Sequence, residues 1–302
     1  MKTYDCFTFF NELDLLKMRL NILNDYVDFF VLVESNKTHS GKSKDLVFER
    51  NKNQFSDFSH KIIHIIVDDM PELKDTNRWV LENFQRNAIM RGLTKCDASD
   101  LILISDLDEI PNPAKIKEVK KILIKKSAQN GLIYQTYQHF KRLVYKLSQN
   151  STIKKYLEYF TPKSAKTVSF KQNLYYYYIN GFINTDWLGS KAVLYKDLIS
   201  CFHSSPQEIR EVRPKNSIPA GGWHFSYLLT PEQISEKIKS FAHSEFDKKE
   251  FTGIEAIKNN IANGKDLFGR NENITYVKID SSYPKWILDN VDNYQRYISK
   301  NI

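Results

Sequence analysis

Three acidic residues, Asp106, Asp108 and Glu109, directly follow the apolar run Leu101–Ile104, and Pro111 prevents the predicted strand from continuing. Ligands of open α/β sheets bind beyond the carboxyl ends of the strands. Two carboxylates that flank one residue at such an end can hold a divalent cation, directly and through water, and that cation would neutralise a diphosphate leaving group. A solvated acidic turn that caps the next helix is the alternative, but the position after a buried strand favours a metal site.

A further candidate ligand is His224, which follows Gly222 and Trp223 and precedes a helix that opens at Pro231. Glycine lets the backbone approach a ligand closely, and a neutral imidazole can complete a Mn²⁺-type site with carboxylates and phosphate oxygens. A purely structural histidine is the alternative. We predict His224 as the third metal ligand, beside the two aspartates.

Polar residues at the ends of other predicted strands could line a nucleotide pocket. Asn11 and Glu12 follow the first strand and Glu34 ends the second, although turn chemistry alone explains much of this polarity. Arg86 lies four residues after Glu82 on the third helix, where it either forms an ordinary ion pair or points at a diphosphate. The predicted donor-binding residues are Asn11, Glu12, Glu34, Arg86 and Asp106.

The elements that must position these residues have an α/β pattern in the first 111 positions. Apolar strands alternate there with amphipathic helices, which is typical of a sheet with helices on its faces. The predicted strands are Tyr4–Phe10, Asp28–Glu34, Lys61–Val67 and Leu101–Ser105, and the main helices are Glu12–Tyr26 and Thr76–Arg91.

The part of the chain after Pro111 is predicted to be α+β. A terminal helix is expected to carry Ile287, Val291, Tyr294 and Ile298 on one face. With no internal repeat and no linker, we expect a single domain over residues 1–302, made of the halves 1–111 and 112–302. The other predicted elements are the helices Ala114–Lys126, Pro231–Ala242 and Ile254–Ala262 and the strands Leu132–Phe140, Tyr175–Tyr178 and Ala192–Tyr195.

Basic residues are concentrated in one stretch. The chain carries 44 Lys and Arg against 36 Asp and Glu, a formal net charge of +8, and residues 115–155 hold 11 of the basic residues against one acid. The stretch is either a solvated face or a surface for an anionic partner such as a phospholipid membrane. We expect at most a peripheral membrane contact there, because no apolar run reaches the roughly 20 residues of a membrane span.

Several features predict a cytoplasmic protein. The residues after Met1 form no continuous apolar stretch, and the three cysteines Cys6, Cys96 and Cys201 are far apart, as in reduced thiols. The sequence also lacks the GxSxG, Walker A and HExxH patterns and has no GxGxxG after the first strand. The usual signals of acyl hydrolysis, P-loop chemistry and zinc proteolysis are therefore missing.

Taken together, these residues resemble glycosyltransferase family 17, and the resemblance extends over most of the chain. It implies a GT-A fold, in which a Rossmann-like mixed sheet flanked by helices forms the nucleotide-sugar-binding half and an elaborated α+β half binds the acceptor. The resemblance rests on Tyr4-Asp5 with Phe7, Glu12 with Asp14-Leu15-Leu16 and Arg19, Val27-Asp28 with Phe30-Val31, Glu34-Ser35-Asn36 with Thr38 and Gly41, Asp106 with Asp108-Glu109-Ile110-Pro111, and Gly222-Trp223-His224 with Ser226.

The family chemistry implies a role for each candidate residue. The two aspartates would hold Mn²⁺ or Mg²⁺ on the diphosphate of a UDP-sugar, with GlcNAc the favoured sugar, and His224 would complete the shell. An Asp or Glu would deprotonate a glycan or glycolipid hydroxyl for one in-line displacement with inversion. Asp186 and Glu245 are equal candidates for this base, and Glu109 is a third that is better placed to support the metal ligands.

Two other functions are compatible with the same residues. A nucleotidyltransferase would use the paired carboxylates to activate attack on an α-phosphate, and it would release pyrophosphate instead of a nucleoside diphosphate. A non-enzymatic basic module would bind a membrane or nucleic acid through residues 115–155, with strong dependence on salt. The leading prediction is a metal-dependent inverting glycosyltransferase that does not bind nucleic acid.

Overall fold

The computed structural model describes residues 1–127, 163–213, 216–270 and 272–300. The predicted strand Leu132–Phe140 and most of the basic stretch 115–155 lie outside these residues. The strands are β1 Thr3–Phe9, β2 Phe29–Ser35, β3 Ile62–Val67, β4 Leu101–Asp106, β5 Glu109–Pro111, β6 Thr167–Tyr176, β7 Gly181–Trp187, β8 Lys191–Leu194, β9 Ser217–Ser226 and β10 Thr275–Tyr276.

The α-helices lie between and after these strands. Short 3-10 helices extend several of them, including Lys52–Phe58, Ala88–Gly92 and Pro113–Lys115. The helices are α1 Leu13–Leu23, α2 Val47–Asn51, α3 Trp79–Asn87, α4 over the described residues 116–127, α5 Tyr195–Cys201, α6 Pro206–Glu211, α7 Pro231–Ser240, α8 Lys249–Thr252, α9 Ile254–Ala262 and α10 Lys285–Asp289.

All ten described strands belong to one mixed sheet. Its main path runs β10-β7-β6-β8-β4-β1-β2-β3, and β9 pairs with both β5 and β6. Strands β1 to β4 are parallel to one another, whereas β8 is antiparallel to β4 and to β6. The prediction of an α/β fold with a mixed sheet flanked by helices is therefore confirmed.

The central parallel strands are buried on both faces, because their alternate side chains enter two different cores. Phe7 and Leu103 pack on the α1 side together with Leu16. Cys6 and Ile104 pack on the opposite side, where α3 contributes Leu81. The first core also includes residues of the second half of the chain, such as Trp223, Tyr283 and Tyr294.

The pairing of β5 with β9 brings the two halves together at the carboxyl end of β4. Glu109 lies opposite His224 in this ladder, and Pro111 lies opposite Gly222. Gly222 has a φ of +141°, and a Cβ at this position would overlap the backbone of Ile110. Only glycine therefore allows β9 to approach β5 so closely.

Several predicted helix boundaries differ from the structure, and α1 ends at Leu23 and not at Tyr26. Helix α3 begins at Trp79 and not at Thr76. The expected terminal helix is two short pieces, α10 and the 3-10 helix Val291–Tyr297, because Asn290 between them has a φ of -125° and a ψ of 15°, which is not helical. The second piece is docked on α1, where the Tyr297 hydroxyl donates a hydrogen bond to Asp14 at 2.7 Å. Within the described ranges, no helix has both the length and the apolar character that crossing a membrane requires.

Candidate active site at the carboxyl edge of the sheet

The turn between β4 and β5 carries the predicted carboxylate pair into a cavity of about 240 Å³. Asp106 ends β4 and Asp108 lies two residues further on, so that both line the same cavity. The Asp106 side chain is 36% exposed and that of Asp108 is 11% exposed. The prediction that acidic side chains gather at this sheet edge is confirmed.

Arg19, on α1, holds this turn from beneath. Its guanidinium is fully buried and donates hydrogen bonds to the carbonyl oxygens of Asp106, Leu107 and Glu109 at 2.8, 3.0 and 3.0 Å. It also forms two hydrogen bonds with the buried Asp5 carboxylate at 2.8 and 2.6 Å. One side chain therefore fixes the backbone of the turn and thereby the direction of both aspartates.

Two arginines face Asp106 from different elements. Arg86 of α3 donates to Oδ1 at 2.9 Å, and Arg210 of α6 donates to Oδ2 at 2.9 Å. Burial disfavours the charged carboxylate, but the two guanidiniums outweigh that effect and lower the pKa of Asp106 to about 2. Asp106 is therefore ionised at neutral pH and holds two strong phosphate-binding groups beside the cavity.

Asp108 has a different set of partners. The Lys237 ammonium of α7 lies 3.3 Å from Oδ2, and His224 Nε2 lies 3.6 Å from Oδ1. Lys237 also pairs with Glu12 at 2.9 Å. Burial opposes ionisation, yet the Lys237 ammonium and the neighbouring His224 imidazole hold the pKa of Asp108 well below its usual range.

Glu109 lies behind the two aspartates and is 1% exposed. Its carboxylate accepts hydrogen bonds from Arg210 at 2.7 and 3.0 Å, from the Asp106 amide at 3.0 Å and from the Trp187 indole at 2.8 Å. The Trp187 ring in turn packs on the His224 imidazole, with centroids 4.5 Å apart. Because each of these contacts is made with another residue around the cavity, Glu109 holds its neighbours in position.

The far end of the cavity is aromatic. Trp79 of α3 and His243 meet edge to face at 4.6 Å, and Phe241 lies 5.5 Å from the same imidazole. All three line the cavity. Arg78, directly before α3, pairs with Asp247 at 2.8 Å and so links α3 to the segment that carries His243. The cavity thus has a charged end at the aspartates and a ring-lined end, where an aromatic group of a ligand can pack.

Four of the predicted site residues line the cavity, and one more touches it through a neighbour. Glu12, Arg86, Asp106 and Asp108 are cavity residues, and His224 reaches the site through Asp108. These five residues come from three elements, the β4–β5 turn and the loop before α1, so they are far apart in the sequence and meet only at the sheet edge.

The other four predicted residues lie outside the cavity lining. Glu34 is fully buried, and its carboxylate accepts the amides of Phe48 and Glu49 at 2.8 and 3.2 Å, so it caps α2 instead of facing a ligand. The backbone amide of Asn11 donates to Glu12 at 3.1 Å.

The two candidate bases are exposed. The Asp186 side chain is 67% exposed and pairs with Lys171 at 2.7 Å. Glu245 is 56% exposed and pairs with Nδ1 of His243 at 2.7 Å. Neither carboxylate lines the cavity, but each is next to a residue that touches the site, Trp187 in one case and His243 in the other.

Arg210 and Lys237 were not among the predicted residues. They lie 104 and 129 residues along the chain from the aspartates that they contact. Nothing in their local sequence separates them from other basic residues nearby, such as Arg213 and Lys239. The pairing of β8 with β4 and the packing of α6 on β4 and α3 bring Arg210 to the site. The pairing of β9 with β5 and β6, which ends shortly before α7, brings Lys237 there.

The side chains at this edge offer some of the ligands that a hard divalent cation needs, but not a complete shell. Asp106 and Asp108 supply oxygens, and Nδ1 of the buried His224 finds no hydrogen-bond partner among the described residues. The described residues contain no preassembled group of three or more His, Cys, Asp or Glu side chains for a metal. The protein therefore offers a partial shell that a ligand's own oxygens would have to complete.

A mixed sheet with an acidic pair at the end of its central parallel strand is consistent with the GT-A-like glycosyltransferases. Residues 1–158 match the model of glycosyltransferase family 17. The chain belongs to glycosyltransferase family 17, as the sequence predicted.

Curated relatives match beyond that segment. The β-1,4-mannosyl-glycoprotein 4-β-N-acetylglucosaminyltransferases of Rattus norvegicus and Mus musculus are each 24% identical over 318 residues, which cover 96% of this chain and 53% of each relative. The Homo sapiens protein of the same name is 31% identical over 107 residues, 33% of this chain and 20% of the relative. The chain thus spans about half the length of the curated relatives it matches.

Proposed function

We propose that this protein is a metal-dependent inverting glycosyltransferase that transfers a sugar from a UDP-sugar to a hydroxyl of a glycan or glycolipid. The observation that carries the proposal is the cavity at the end of β4, where Asp106 and Asp108 face Arg86, Arg210 and Lys237. A site with this mixture of charges can bind a diphosphate through the basic groups and a cation through the acidic ones.

The residues of this chain divide the work between binding and orientation. Asp108 and His224 would hold Mn²⁺ or Mg²⁺, with Asp106 assisting through water, and the bound cation would neutralise the diphosphate as it leaves. Arg86 and Arg210 would donate hydrogen bonds to phosphate oxygens. The aromatic end of the cavity would accept the planar base of the donor.

The sugar and the acceptor are proposed from the relatives. The rat and mouse proteins carry the name of an N-acetylglucosaminyltransferase that acts on a β-1,4-mannosyl-glycoprotein. Their similarity over nearly the whole of this chain supports GlcNAc as the transferred sugar and a mannose-containing glycan as one acceptor. A cytoplasmic location and a peripheral contact of residues 115–155 with an anionic membrane stay predictions.

The catalytic base stays a choice between Asp186 and Glu245. A base must reach the acceptor hydroxyl, directly or through one water. Asp186 is supported by its position beside Trp187, and Glu245 by its hydrogen bond to the cavity residue His243. Replacing the true base by its amide should lower turnover at least tenfold while UDP affinity stays within about twofold, since the base does not contact the leaving group.

The direct test is to identify the products formed from UDP-GlcNAc and Mn²⁺ with a mannosylated glycan as acceptor. We expect UDP and a β-linked GlcNAc product, because displacement with inversion converts the α-linkage of the donor. Asp108→Asn should abolish the product, whereas the matched control Asp69→Asn, which removes an exposed carboxylate paired with Arg91, should not. Release of pyrophosphate, or equal turnover by Asp108→Asn, would contradict the proposal.

A further inference from the structure

Lys237 occupies the space between two carboxylates of the site. Its ammonium lies 2.9 Å from Glu12 Oε1 and 3.3 Å from Asp108 Oδ2. The Lys237 side chain is 23% exposed, whereas those of Glu12 and Asp108 are 6% and 11% exposed. A partly desolvated carboxylate next to an ammonium is a strong pair, because water screens it poorly.

The backbone that carries Lys237 is well anchored. Helix α7 starts with a capping box, in which Thr230 and Gln233 each bind the other's backbone amide. Ile234 and Ile238 of the same helix are fully buried. The helix therefore presents the ammonium from a fixed base, and only the flexible end of the side chain can move.

The carboxylate oxygens that would bind the metal already face basic or imidazole nitrogen atoms of the protein. Both oxygens of Asp106 already accept hydrogen bonds from Arg86 and Arg210. Both oxygens of Asp108 face positively charged or imidazole nitrogen atoms. A cation that arrived alone would have to displace an ammonium and would then lie beside it, with repulsion between like charges.

We propose that Lys237 is a tethered cation that would compete with the divalent cation for the Asp108 carboxylate, so that the metal ion and the nucleotide diphosphate bind together. This inference rests on the proposed function. The diphosphate supplies the negative charge that is missing when the metal binds alone, and its oxygens give the displaced ammonium a new partner. The same ammonium then stabilises the diphosphate as it leaves.

The structure predicts a strong coupling between the two ligands. Each must raise the affinity of the other by the same factor, because binding free energies are linked. We expect that saturating UDP increases the affinity of the wild-type protein for Mn²⁺ by roughly 100-fold or more, at the upper end of ordinary coupling between sites.

The test is a titration with Mn²⁺, monitored by the electron paramagnetic resonance signal of the free ion, with and without UDP. Lys237→Met should bind Mn²⁺ without UDP roughly tenfold or more tightly than the wild type, because a nearby positive charge has been removed. The control is Lys239→Met, since Lys239 is an exposed lysine of the same helix α7 and does not line the cavity. It should change Mn²⁺ affinity less than about threefold.

Two results would overturn the role of Lys237 while leaving the proposed function intact. The first is that, without UDP, Lys237→Met and the wild type bind Mn²⁺ with equal affinity. The second is that the wild type binds UDP but its affinity for Mn²⁺ is the same with and without UDP. The second result needs no variant, so a Lys237→Met protein that fails to fold does not block the test. Absence of any UDP binding by folded wild-type protein would instead refute the proposed function.

Discussion

Replacement of Arg19 tests how the fold builds its site. In Arg19→Met the Asp5 carboxylate, which is fully buried and accepts two of the arginine's hydrogen bonds, loses its counter-charge. Removing one partner of a buried ion pair costs about 3–5 kcal/mol. That is a large part of a total stability of about 5–15 kcal/mol, and it should lower the melting temperature by roughly 6–20 °C.

A second substitution separates stability from function. Asp5→Leu in the Arg19→Met background removes the unpaired carboxylate and leaves an apolar pair, which is often no less stable than the ion pair it replaces. The carbonyl oxygens of Asp106, Leu107 and Glu109 would still lack their donor. We therefore expect the double variant to regain most of its stability but to bind UDP at least tenfold more weakly, since the carboxylate turn is no longer fixed.

Urea unfolding measures the first effect, and UDP titration in the presence of Mn²⁺ measures the second. The Asp5→Leu single variant completes the double-mutant cycle and isolates the coupling between the two side chains. The reasoning would be refuted if Arg19→Met cost less than about 1 kcal/mol, which is the range of an exposed ion pair. It would also be refuted if the double variant recovered full UDP affinity along with its stability.

Three further changes address single contacts. Glu109→Gln keeps the shape of the side chain but removes the charge that faces Arg210, and it should lower UDP-sugar turnover at least tenfold in steady-state assays; unchanged turnover would argue against the positioning role. Gly222→Ala places a Cβ against the Ile110 carbonyl at a φ of +141°, so urea unfolding should show a loss of about 1–3 kcal/mol, and a neutral result would contradict the close approach of β5 and β9. Burial lowers the pKa of Lys191 from 10.5 to about 8. Between these two pH values the unfolded chain therefore binds more protons than the folded protein does. The free energy of unfolding should rise with pH above 8, by on the order of 1 kcal/mol at pH 9.5. Lys191→Met should abolish that rise in unfolding curves recorded across this pH range, and an equal rise in the variant would exclude Lys191 as its source.

The sequence predicted the parallel half of the sheet because its strands are continuous apolar runs. Leu101–Ile104 lies within β4, and Asp106 and Asp108 after it line the cavity at the strand's carboxyl end. Local patterns were enough for this prediction. A continuous apolar run indicates a strand that is buried on both faces, and the carboxyl end of a parallel strand is where ligands of such sheets bind.

The prediction was wrong for Glu34, and the reason is the face on which its side chain lies. Neighbouring residues of a strand point to opposite sides of the sheet. The location of Glu34 at the end of a strand therefore did not show on which face its side chain lies. In the structure its carboxylate accepts hydrogen bonds from the amides of Phe48 and Glu49 at the start of α2. The same limit applies to Arg210 and Lys237, whose approach to the aspartates depends on the pairing of strands far apart in the chain.

The tail shows a further limit of periodicity. Ile287 and Tyr294 are buried in the first core, as their spacing predicted. The backbone between them leaves the helical conformation at Asn290. Apolar spacing thus identified which residues pack but not that two short segments, joined by a bend, would place them there.

The measurement that tests the account most directly is the calorimetric titration of UDP with and without Mn²⁺, using the wild-type protein and Asp108→Asn. The account predicts UDP binding by the wild type that is strongly enhanced by Mn²⁺, and loss of that enhancement in Asp108→Asn while the variant stays folded. UDP binding that is equal with and without Mn²⁺, or an undiminished Mn²⁺ enhancement in Asp108→Asn, would contradict the assignment of this sheet edge as the metal and donor site.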